Sequence, residues 1–412
     1  MTPCAVRPSP VSTWDAIRQH ANRREPFNLR LGGNDVTVRV KPNPVWTDAC
    51  THSIADATPS QKPCSPGIQT YSGRTLIEGV RTQVRLTIGA DFISGYVRDT
   101  DHWWFIEPLS KYRPDAAPSQ HLVYDSRSVR RSLLMGNDAV RLAPTRDSDE
   151  RLPERRPRED PDYGYDPVDD PDAPSTGSQP PNMITMQLHL LADREFDGAA
   201  TSFGRGTLNE HVALVNALDG IYRRTVNVTF QLASSSTDSG SIPCFTATTS
   251  SALLDQVKTC FKQLNRSVAL GPSDLVHLTS GKTLESRFLG FGHVLGIAFE
   301  PGQFGLSTSR LATVIGGVGD LPNLSFEDLL VSAHEIGHNL DGCHKEADSW
   351  CDGYFLFFCI GPRNTIMAPI ISGATSGFFS AAGFDGAHNN VDRIKFNTTH
   401  RIGDTVARTC PN

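Results

Sequence analysis

The sequence has no long apolar run and no excess of basic residues. No stretch approaches the roughly 20 apolar residues of a membrane-spanning helix. The net charge is −6, and no basic stripe is interleaved with aromatic side chains, so nucleic acid is not an expected partner. The first 20 residues also lack the apolar core of a secretory signal. These absences favour a globular protein without a membrane span.

Cysteine is present, but never in the spacing of a zinc ribbon. The chain has nine cysteines, which favours an oxidising compartment because the cytosol keeps thiols reduced. Four Asn-X-Ser/Thr triplets begin at Asn227, Asn265, Asn323 and Asn397. The cysteine content and these triplets together predict a secreted, extracellular protein.

A segment rich in proline and acidic residues divides the chain. Residues 145–182 contain few aliphatic side chains, so they cannot bury enough apolar surface to offset the entropy of ordering. We interpret them as a disordered linker between a β-rich domain at 1–144 and a second domain at 183–412. With 412 residues, the chain is long enough for two hydrophobic cores.

Alternating apolar residues predict strands in the first domain. In the stretch QVRLTI, the side chains of Val84, Leu86 and Ile88 share one face. Similar stretches are DVTVRV, DFISGYV and WWFIEPL. The pattern alone indicates an independent folding or binding module made of β-hairpins.

Strand and helix patterns alternate in the second domain. Strands are predicted at ITMQLHLLAD, VNVTFQLA, DLVHLTSG and HVLGIAF, and helices at TLNEHVALVNALDGIYRR and SALLDQVKTCFKQLN. A helix that carries the motif described next follows them, and then a last helix, NVDRIKFNTTHRIGDTVA. This alternation predicts an α/β fold with a mixed sheet.

The stretch HEIGHNLDGCH predicts a metal site. His334 and His338 are one helical turn apart, so both rings project from one face of a helix and can hold one ion. Glu335, beside them, is placed to bond a metal-held water. The chain must turn sharply after His338 to bring His344 back as a third ligand. Asp341 tolerates the left-handed backbone that such a turn favours.

The helix that carries this motif has its own start signal. Ser325 is a predicted N-cap, and Asp328 three residues later resembles a capping box. An apolar stripe at helical spacing is expected to face the core. Its members are Leu329, Ala333, Ile336 and Leu340.

These residues resemble a known family. The three histidines followed by Met367 in NTIMAPI resemble the metzincin metalloproteases, and HEIGHNL, TIMAP and a later FFS resemble their adamalysin (reprolysin, ADAM-like) branch. DLVHLTSG and LGIAF resemble the central and edge strands of that branch, and GADFISGYVRDTDHWWFIEPL is similar to its propeptide. The resemblance implies an α/β (α+β) metzincin catalytic domain with an active-site helix and a Met-turn, preceded by a β-rich propeptide domain.

The sequence departs from the family pattern at three positions. Asp341 stands where the family has glycine, and Lys345 stands where it often has aspartate. Cys343 lies inside the motif itself, so the cysteine pattern differs as well. These departures affect the turn and leave the predicted ligands intact.

The motif and the resemblance predict a zinc-dependent endopeptidase that is made as a latent zymogen. We expect one Zn²⁺ per chain, held by His334, His338 and His344, with Glu335 as the general base. The expected partners are protein or peptide substrates, and the propeptide as an intramolecular inhibitor. The resemblance assigns Gly296, Ile297 and Ala298 to the substrate backbone, Pro369 and Ile370 to the pocket after the scissile bond, and Met367 to a hydrophobic floor below the zinc.

The disulfide pairing is open, since the six cysteines of the second domain allow 15 pairings. Closeness in sequence favours Cys244–Cys260 and Cys351–Cys359, which leaves Cys343–Cys410. In the first domain, pairing of Cys50 with Cys64 would leave Cys4, either as an ordinary unpaired cysteine or as a thiolate on the zinc.

Processing and calcium binding are also open. Cleavage could occur at RSVRR (Arg127–Arg131) or in the linker. The structural calcium of the family could use Asp274 and Asn412, although Gln187 stands where an acidic residue is expected.

Two other functions compete with the endopeptidase. One is a catalytically silent or permanently inhibited metalloprotease-like binding protein, against which the presence of Glu335 and all three histidines argues. The other is a zinc hydrolase that acts on something other than a peptide.

Overall fold

A computed structural model gives the fold of the chain. It describes residues 5–6, 14–55, 60–77, 79–98, 103–113, 115–117, 119–128, 133–134, 139–141, 183–202, 204–238, 244–268, 274–285, 293–294, 296–300, 302–308, 325–342, 349–355, 358–364, 366–367, 370–371 and 394. Two eight-stranded sheets dominate this part of the chain. No described helix is long and apolar enough to cross a membrane.

The first sheet is antiparallel throughout and belongs to the N-terminal region. Its strand order is β1-β10-β9-β8-β7-β6-β3-β2. A short helix, α1 (Trp14–Asn22), packs beside β2 and β3. The strands are β1 (Ala5–Val6), β2 (Phe27–Leu31), β3 (Asn34–Pro42), β6 (Gln69–Ile77), β7 (Val80–Ile88), β8 (Ile93–Arg98), β9 (Trp103–Pro108) and β10 (His121–Asp125).

The second sheet is mixed and has the order β12-β18-β19-β15-β13-β14-β4-β5. Its centre is parallel, and β18 runs antiparallel to β19. The strands are β4 (Trp46–Ala55), β5 (Ser60–Pro63), β12 (Ala139–Arg141), β13 (Ile184–Ala192), β14 (Val228–Asp238), β15 (Leu275–Ser280), β18 (Gly296–Glu300) and β19 (Phe304–Thr308).

Helices and short hairpins complete the described part. The helices are α2 (Arg194–Ser202), α3 (Thr207–Val226), α4 (Ser250–Val268) and α5 (Ser325–Asn339). The two-stranded pairs are β11 (Leu133–Leu134) with β22 (Ile370–Ile371), β16 (Leu284–Glu285) with β17 (His293–Val294), and β20 (Ser349–Phe355) with β21 (Phe358–Asn364).

The mixed α/β fold predicted from alternation is confirmed, and the predicted strands and helices from 184 to 339 lie where expected. In the first sheet, Val84, Leu86 and Ile88 are buried together in one hydrophobic cluster, as their spacing predicted. The last predicted helix lies outside the described residues, apart from Ile394, which is helical and buried.

The N-terminal region shares the mixed sheet with the C-terminal region. β4 adds in parallel to β14, with Thr51 opposite Ser234 and Ser53 opposite Ser236. β5 folds back on β4, and the Cys50–Cys64 disulfide closes this hairpin. β12 adds to the opposite edge. The domain division at 144 and 183 stays a prediction, but strands from both sides of the linker build this one sheet.

The main hydrophobic cluster is shared in the same way. Tyr96, Trp103 and Phe105 of the first sheet pack in one cluster with Leu218 of α3 and Phe326 of α5. Helix α3 is therefore covered on one side by β14 and on the other by the first sheet. Helix α5, which carries the histidine motif, packs on β18 and β19 and also contacts α3 and β9.

Candidate metal centre

Helix α5 positions the histidine motif. Its predicted apolar stripe is buried, since Leu329, Ala333, Ile336 and Leu340 are all at most 3% exposed. The helix packs on β18 and β19. The hydroxyl of Tyr222 on α3 donates a hydrogen bond of 2.7 Å to the carbonyl of Ala333, which fixes the turn that precedes the two histidines.

The cap of α5 differs from the prediction. A capping box of Ser325 and Asp328 was expected, but the Ser325 hydroxyl donates to the carboxylate of Glu107 in β9, and the Ser325 backbone N–H donates to the same group at 3.3 Å. Asp328 instead lies 3.6 Å from the ammonium of Lys111. A buried carboxylate is a stronger acceptor for the orphan N–H groups than a local side chain that would also face water.

The rings of His334 and His338 are both fixed by backbone carbonyls. Nδ1 of His334 lies 2.6 Å from the carbonyl oxygen of Ile366, and Nδ1 of His338 lies 2.8 Å from that of Gly342. A carbonyl only accepts, so each Nδ1 carries a proton, and Nε2 is the nitrogen of each ring that is left to bind a metal.

The two Nε2 atoms face each other at 3.1 Å, and both side chains are fully buried. Two lone pairs at this distance repel one another unless they share a proton or a cation. Two ligands about 2.0–2.1 Å from a tetrahedral zinc would be roughly 3.3 Å apart. The donor set and its spacing therefore fit a divalent metal such as zinc.

A sharp turn follows His338, as the sequence predicted. Asp341 has φ of +74°, in the left-handed region. The N–H of Gly342 donates to the carbonyl of Gly337 at 2.8 Å, which ends the helix. Since the Gly342 carbonyl also fixes His338, the turn orients one predicted ligand while it redirects the chain. His344 lies outside the described residues.

Glu335 is fully buried beside strand β18. A Cβ built on Gly296 would lie 2.5 Å from Cγ of Glu335, so only glycine allows the strand to approach so closely. Burial, followed by the charge of Glu335, raises the pKa of Tyr222 well above its usual value. Gly296, Ile297 and Ala298 are buried in β18, which lies directly against the carboxylate.

Asn339 ties β18 and β19 to the helix, and the sequence analysis missed it. Its side-chain amide donates to the carbonyl of Phe299 at 3.0 Å and to that of Phe304 at 2.9 Å. The N–H of Gly302 donates to the carbonyl of Asn339 at 3.1 Å. The sequence signal that could have identified it is an asparagine directly after His338, at the predicted end of the helix.

A buried histidine lies behind the helix. Nε2 of His277 lies 2.9 Å from the hydroxyl oxygen of Ser307, which lies 2.9 Å from that of Ser332 on α5. Burial lowers the pKa of His277 to about 3, so the ring is neutral near neutral pH. It serves packing and hydrogen bonding rather than charge.

Met367 is fully buried in a turn, and a Cβ built on Gly342 would lie 3.2 Å from its terminal methyl group. Pro369 lies outside the described residues. Ile370 is described only by its backbone, which pairs with Leu134 in β11. The structure therefore brings Met367 next to the turn that follows His338.

The other sequence predictions have mixed outcomes. The Cys50–Cys64 and Cys244–Cys260 disulfides are confirmed. The side chains of Cys351 and Cys359 lie outside the described part, as do Cys4, Cys343, Cys410 and Asn412. The Asp274 carboxylate accepts a hydrogen bond of 2.7 Å from the N–H of Gln187. Within the described ranges, no cluster of three metal-ligating side chains occurs, so the third ligand stays a prediction.

A search of the curated proteins finds no match. Among solved structures, 73 chains match; one is archaemetzincin from Methanopyrus kandleri, with 17% identity, a TM-score of 0.32, and coverage of 54% of this chain and 99% of that chain. Residues 184–380, just under half of the chain, match a reprolysin model described as metallo-peptidase family M12. This match supports a metallopeptidase domain of family M12 in the C-terminal half of the protein.

Proposed function

We propose that the protein is a secreted zinc endopeptidase made in a latent form. The observation that carries the proposal is the pair of buried Nε2 atoms of His334 and His338, which face each other at 3.1 Å with both Nδ1 atoms bonded to carbonyls. The match of residues 184–380 to metallo-peptidase family M12 supports it.

His334, His338 and His344 would hold the ion. Zinc bound there would lower the pKa of a water and polarise the peptide carbonyl. The carboxylate of Glu335 accepts the proton of the attacking water and then delivers it to the leaving amine. Met367 forms the hydrophobic floor of a Met-turn beside the His338 turn.

The substrate would lie along β18. The strand bearing Gly296, Ile297 and Ala298 runs beside Glu335, which suits recognition of an extended peptide by backbone pairing. Asn339 holds this strand at a fixed distance from the helix through Phe299 and Phe304. Pro369 and Ile370 would line the pocket for the residue after the scissile bond.

Two short strands from the N-terminal region support latency. β12 pairs in parallel with β18, with Ala139 opposite Ala298. β11 pairs with β22, with Leu134 opposite Ile370. Ala298 and Ile370, two of the residues assigned to substrate, are therefore already paired with β12 and β11, and these two strands act as an intramolecular inhibitor until they are displaced.

Peptide cleavage tests the enzymatic part of the proposal. The full chain, cut both after Arg131 and in the linker so that β11 and β12 can leave, should cleave casein, and a zinc chelator should abolish this cleavage. A preparation that holds zinc and cleaves no peptide would instead support the catalytically silent binding protein.

Proline substitution tests latency. Proline at Ala139, Val140 and Arg141 in turn removes backbone donors from β12. At least one of these variants should raise the activity of the uncut chain toward that of the cut protein, whereas proline at Glu154 in the linker should not. Equal activity in all uncut variants would exclude β12 as the inhibitory strand.

Secretion and calcium binding are two further parts of the proposal. The two disulfides are typical of an oxidising compartment. A calcium ion near Asp274 would have to replace the hydrogen bond from the Gln187 N–H, because that carboxylate oxygen is engaged at 2.7 Å. Calcium titration of thermal stability would detect such a site.

A further inference from the structure

We infer that Glu107, Lys111 and Tyr124 of the N-terminal region are positioning residues for the active-site helix α5, and that the region containing them stays bound after the linker is cut. This inference rests on the proposed peptidase function but adds a second role for the N-terminal region. Segment 133–141 would block the cleft, while residues 14–128 would hold α5 in place for catalysis.

The Glu107 carboxylate is the centre of this cap. It is fully buried and accepts hydrogen bonds from the N–H and the hydroxyl of Ser325, the first residue of α5. Burial alone would raise the pKa of Glu107, but the charge of Lys111 and hydrogen bonds from Ser325, Tyr112 and Tyr124 outweigh burial and lower it. The helix thus begins on a carboxylate that stays charged.

Lys111 and Tyr124 extend the cap over the whole first turn. The Lys111 ammonium lies 3.3 Å from Glu107, donates to the Ser325 hydroxyl at 3.1 Å and lies 3.6 Å from Asp328. The Tyr124 hydroxyl accepts the N–H of Phe326 at 3.3 Å. Side chains from one region therefore satisfy two backbone N–H groups and one carboxylate on the helix of the other.

Phe326 anchors the same turn by packing. Its ring makes edge contacts with Trp103 and Phe105 of β9, with ring centroids 6.3 Å and 5.3 Å apart. Phe105 stacks in turn on Tyr124 at 5.6 Å. The start of α5 is therefore held by polar and aromatic contacts that come from one strand and its neighbour.

The rest of the interface argues against dissociation. Arg85 of β7 donates to Asp219 of α3 at 2.9 Å, and the two side chains are at most 1% exposed. The Asn216 amide on α3 donates to the carbonyl of Leu86 at 3.0 Å. Separation of the two regions would take Arg85 from Asp219 and Ser325 from Glu107, and it would expose the apolar residues of the shared cluster to water.

The pairing of β4 with β14 also argues against dissociation of the two regions. The N–H of Leu232 donates to the carbonyl of Val45 at 2.8 Å, and the hydroxyl oxygens of Ser53 and Ser236 are 2.7 Å apart. Removal of β4 would turn buried β14 into an exposed edge strand. A cut in the linker breaks none of these contacts, so the product is a two-chain complex.

The cap at the start of α5 affects catalysis because it fixes the position of the helix that carries the catalytic residues. Glu335 and the two histidines lie on the same rigid helix as Ser325 and Phe326, within 13 residues of the cap. A displacement of about 1 Å between Glu335 and a bound peptide is enough to lower the rate roughly 100-fold. Loss of the cap should therefore reduce kcat while peptide binding along β18 is preserved.

The first test asks whether the complex survives. A specific protease site is placed in the linker, the full chain is cut, and the product is passed over a size-exclusion column at micromolar concentration. We expect both fragments to elute together without denaturant. Separation of the fragments, with the C-terminal fragment still folded by circular dichroism, would overturn the inference.

The second test asks whether the cap positions α5. Tyr124→Phe and the double variant Glu107→Gln/Lys111→Met keep side-chain volume, so folding should be preserved, and Glu107→Ala is the harsher change. The control is Arg113→Ala, because Arg113 pairs with Asp115 in the same loop but its side chain is 60% exposed. All variants are compared as the complex cut both after Arg131 and in the linker, which frees the segment with β11 and β12 and keeps residues 14–128 bound.

Hydrogen exchange and steady-state kinetics are the readouts. We expect amide exchange at Ser325 and Phe326 to be at least 10-fold faster in the cap variants than in the wild type and in Arg113→Ala. In the same variants kcat should fall at least 10-fold with KM within twofold. Unchanged exchange and unchanged kcat in folded variants would overturn the inference. If the wild type cleaves no peptide, the peptidase proposal fails, while co-elution and exchange still decide this inference.

Discussion

At the scale of single residues, two backbone carbonyls decide how the histidines can act. Ile366 and Gly342 accept from the Nδ1 atoms of His334 and His338, which turns both Nε2 atoms toward one point. The sequence predicted that the two rings share a face, because that follows from helical spacing. It could not predict that the Ile366 carbonyl accepts from His334, since these two residues are 32 positions apart.

The role of Glu335 leads to a prediction on activity. Glu335→Gln keeps the shape of the side chain but removes the base, so cleavage by the cut complex should fall by roughly 10²- to 10⁴-fold. Zinc content, measured by mass spectrometry, should stay at the wild-type value. Undiminished cleavage by a zinc-loaded Glu335→Gln variant would show that Glu335 is not the base.

Gly296 gives a prediction on strand placement. A methyl group in Gly296→Ala would collide with Glu335, so the strand must shift or strain at a cost of about 1–3 kcal/mol. Thermal stability and kcat/KM should both fall. Gly198→Ala is the matched control, because nothing lies within 4 Å of a Cβ built there and the residue is in helix α2. That control should be neutral or slightly stabilising.

At the scale of elements, helix α5 shows which structural features the local sequence predicts and which it does not. The apolar stripe and the Asp341 turn depend on neighbours within a few residues, and both were predicted correctly. The predicted start at Ser325 agrees with the structure, but Glu107, 218 residues away, accepts the Ser325 N–H that was expected to bond to Asp328. No local sequence pattern predicts such a contact, although the EPLSK stretch contains Glu107 and Lys111, the buried charged residues that make it.

The β4–β5 hairpin leads to a prediction on stability. The Cys50–Cys64 disulfide closes a loop of 14 residues, for which chain entropy gives about 3 kcal/mol of stabilisation. Replacing both cysteines with serine should lower the Tm by several degrees and loosen the pairing of β4 with β14. Calorimetry would measure the shift, and an unchanged Tm would mean that the hairpin is held by its sheet contacts alone.

At the scale of the whole molecule, the sequence predicted the classes of the two regions but not their union. Periodicity identified the antiparallel strands and the α/β alternation, because both depend on which residues alternate along one segment. The addition of β4 to β14 and of β12 to β18 joins segments separated by the linker. Such pairings depend on tertiary contacts, which periodicity does not record.

Buried histidines predict how stability depends on pH. Burial lowers the pKa of His121 to about 4 and that of His277 to about 3, against 6.5 for an exposed histidine. The unfolded chain therefore binds more protons than the folded one below pH 6.5, and folding stability falls as the pH drops toward these values. Each group contributes up to about 1.4 kcal/mol per pH unit in that window.

Chemical denaturation at pH 7.5 and pH 5 measures this effect. We expect the free energy of unfolding to be lower at pH 5, and the difference to shrink in His121→Gln, which keeps polar atoms but does not titrate. Equal stability at the two pH values would show that these rings are not held neutral in the fold.

The most direct measurement is the zinc content of the purified full chain after loading and exhaustive dialysis, compared with His338→Ala. The account predicts about one zinc ion per chain in the wild type and a strong loss in the variant, since His338 supplies one of the facing Nε2 atoms. A wild-type chain that retains no zinc, or a variant that retains as much as the wild type, would contradict the metal centre and the peptidase built on it.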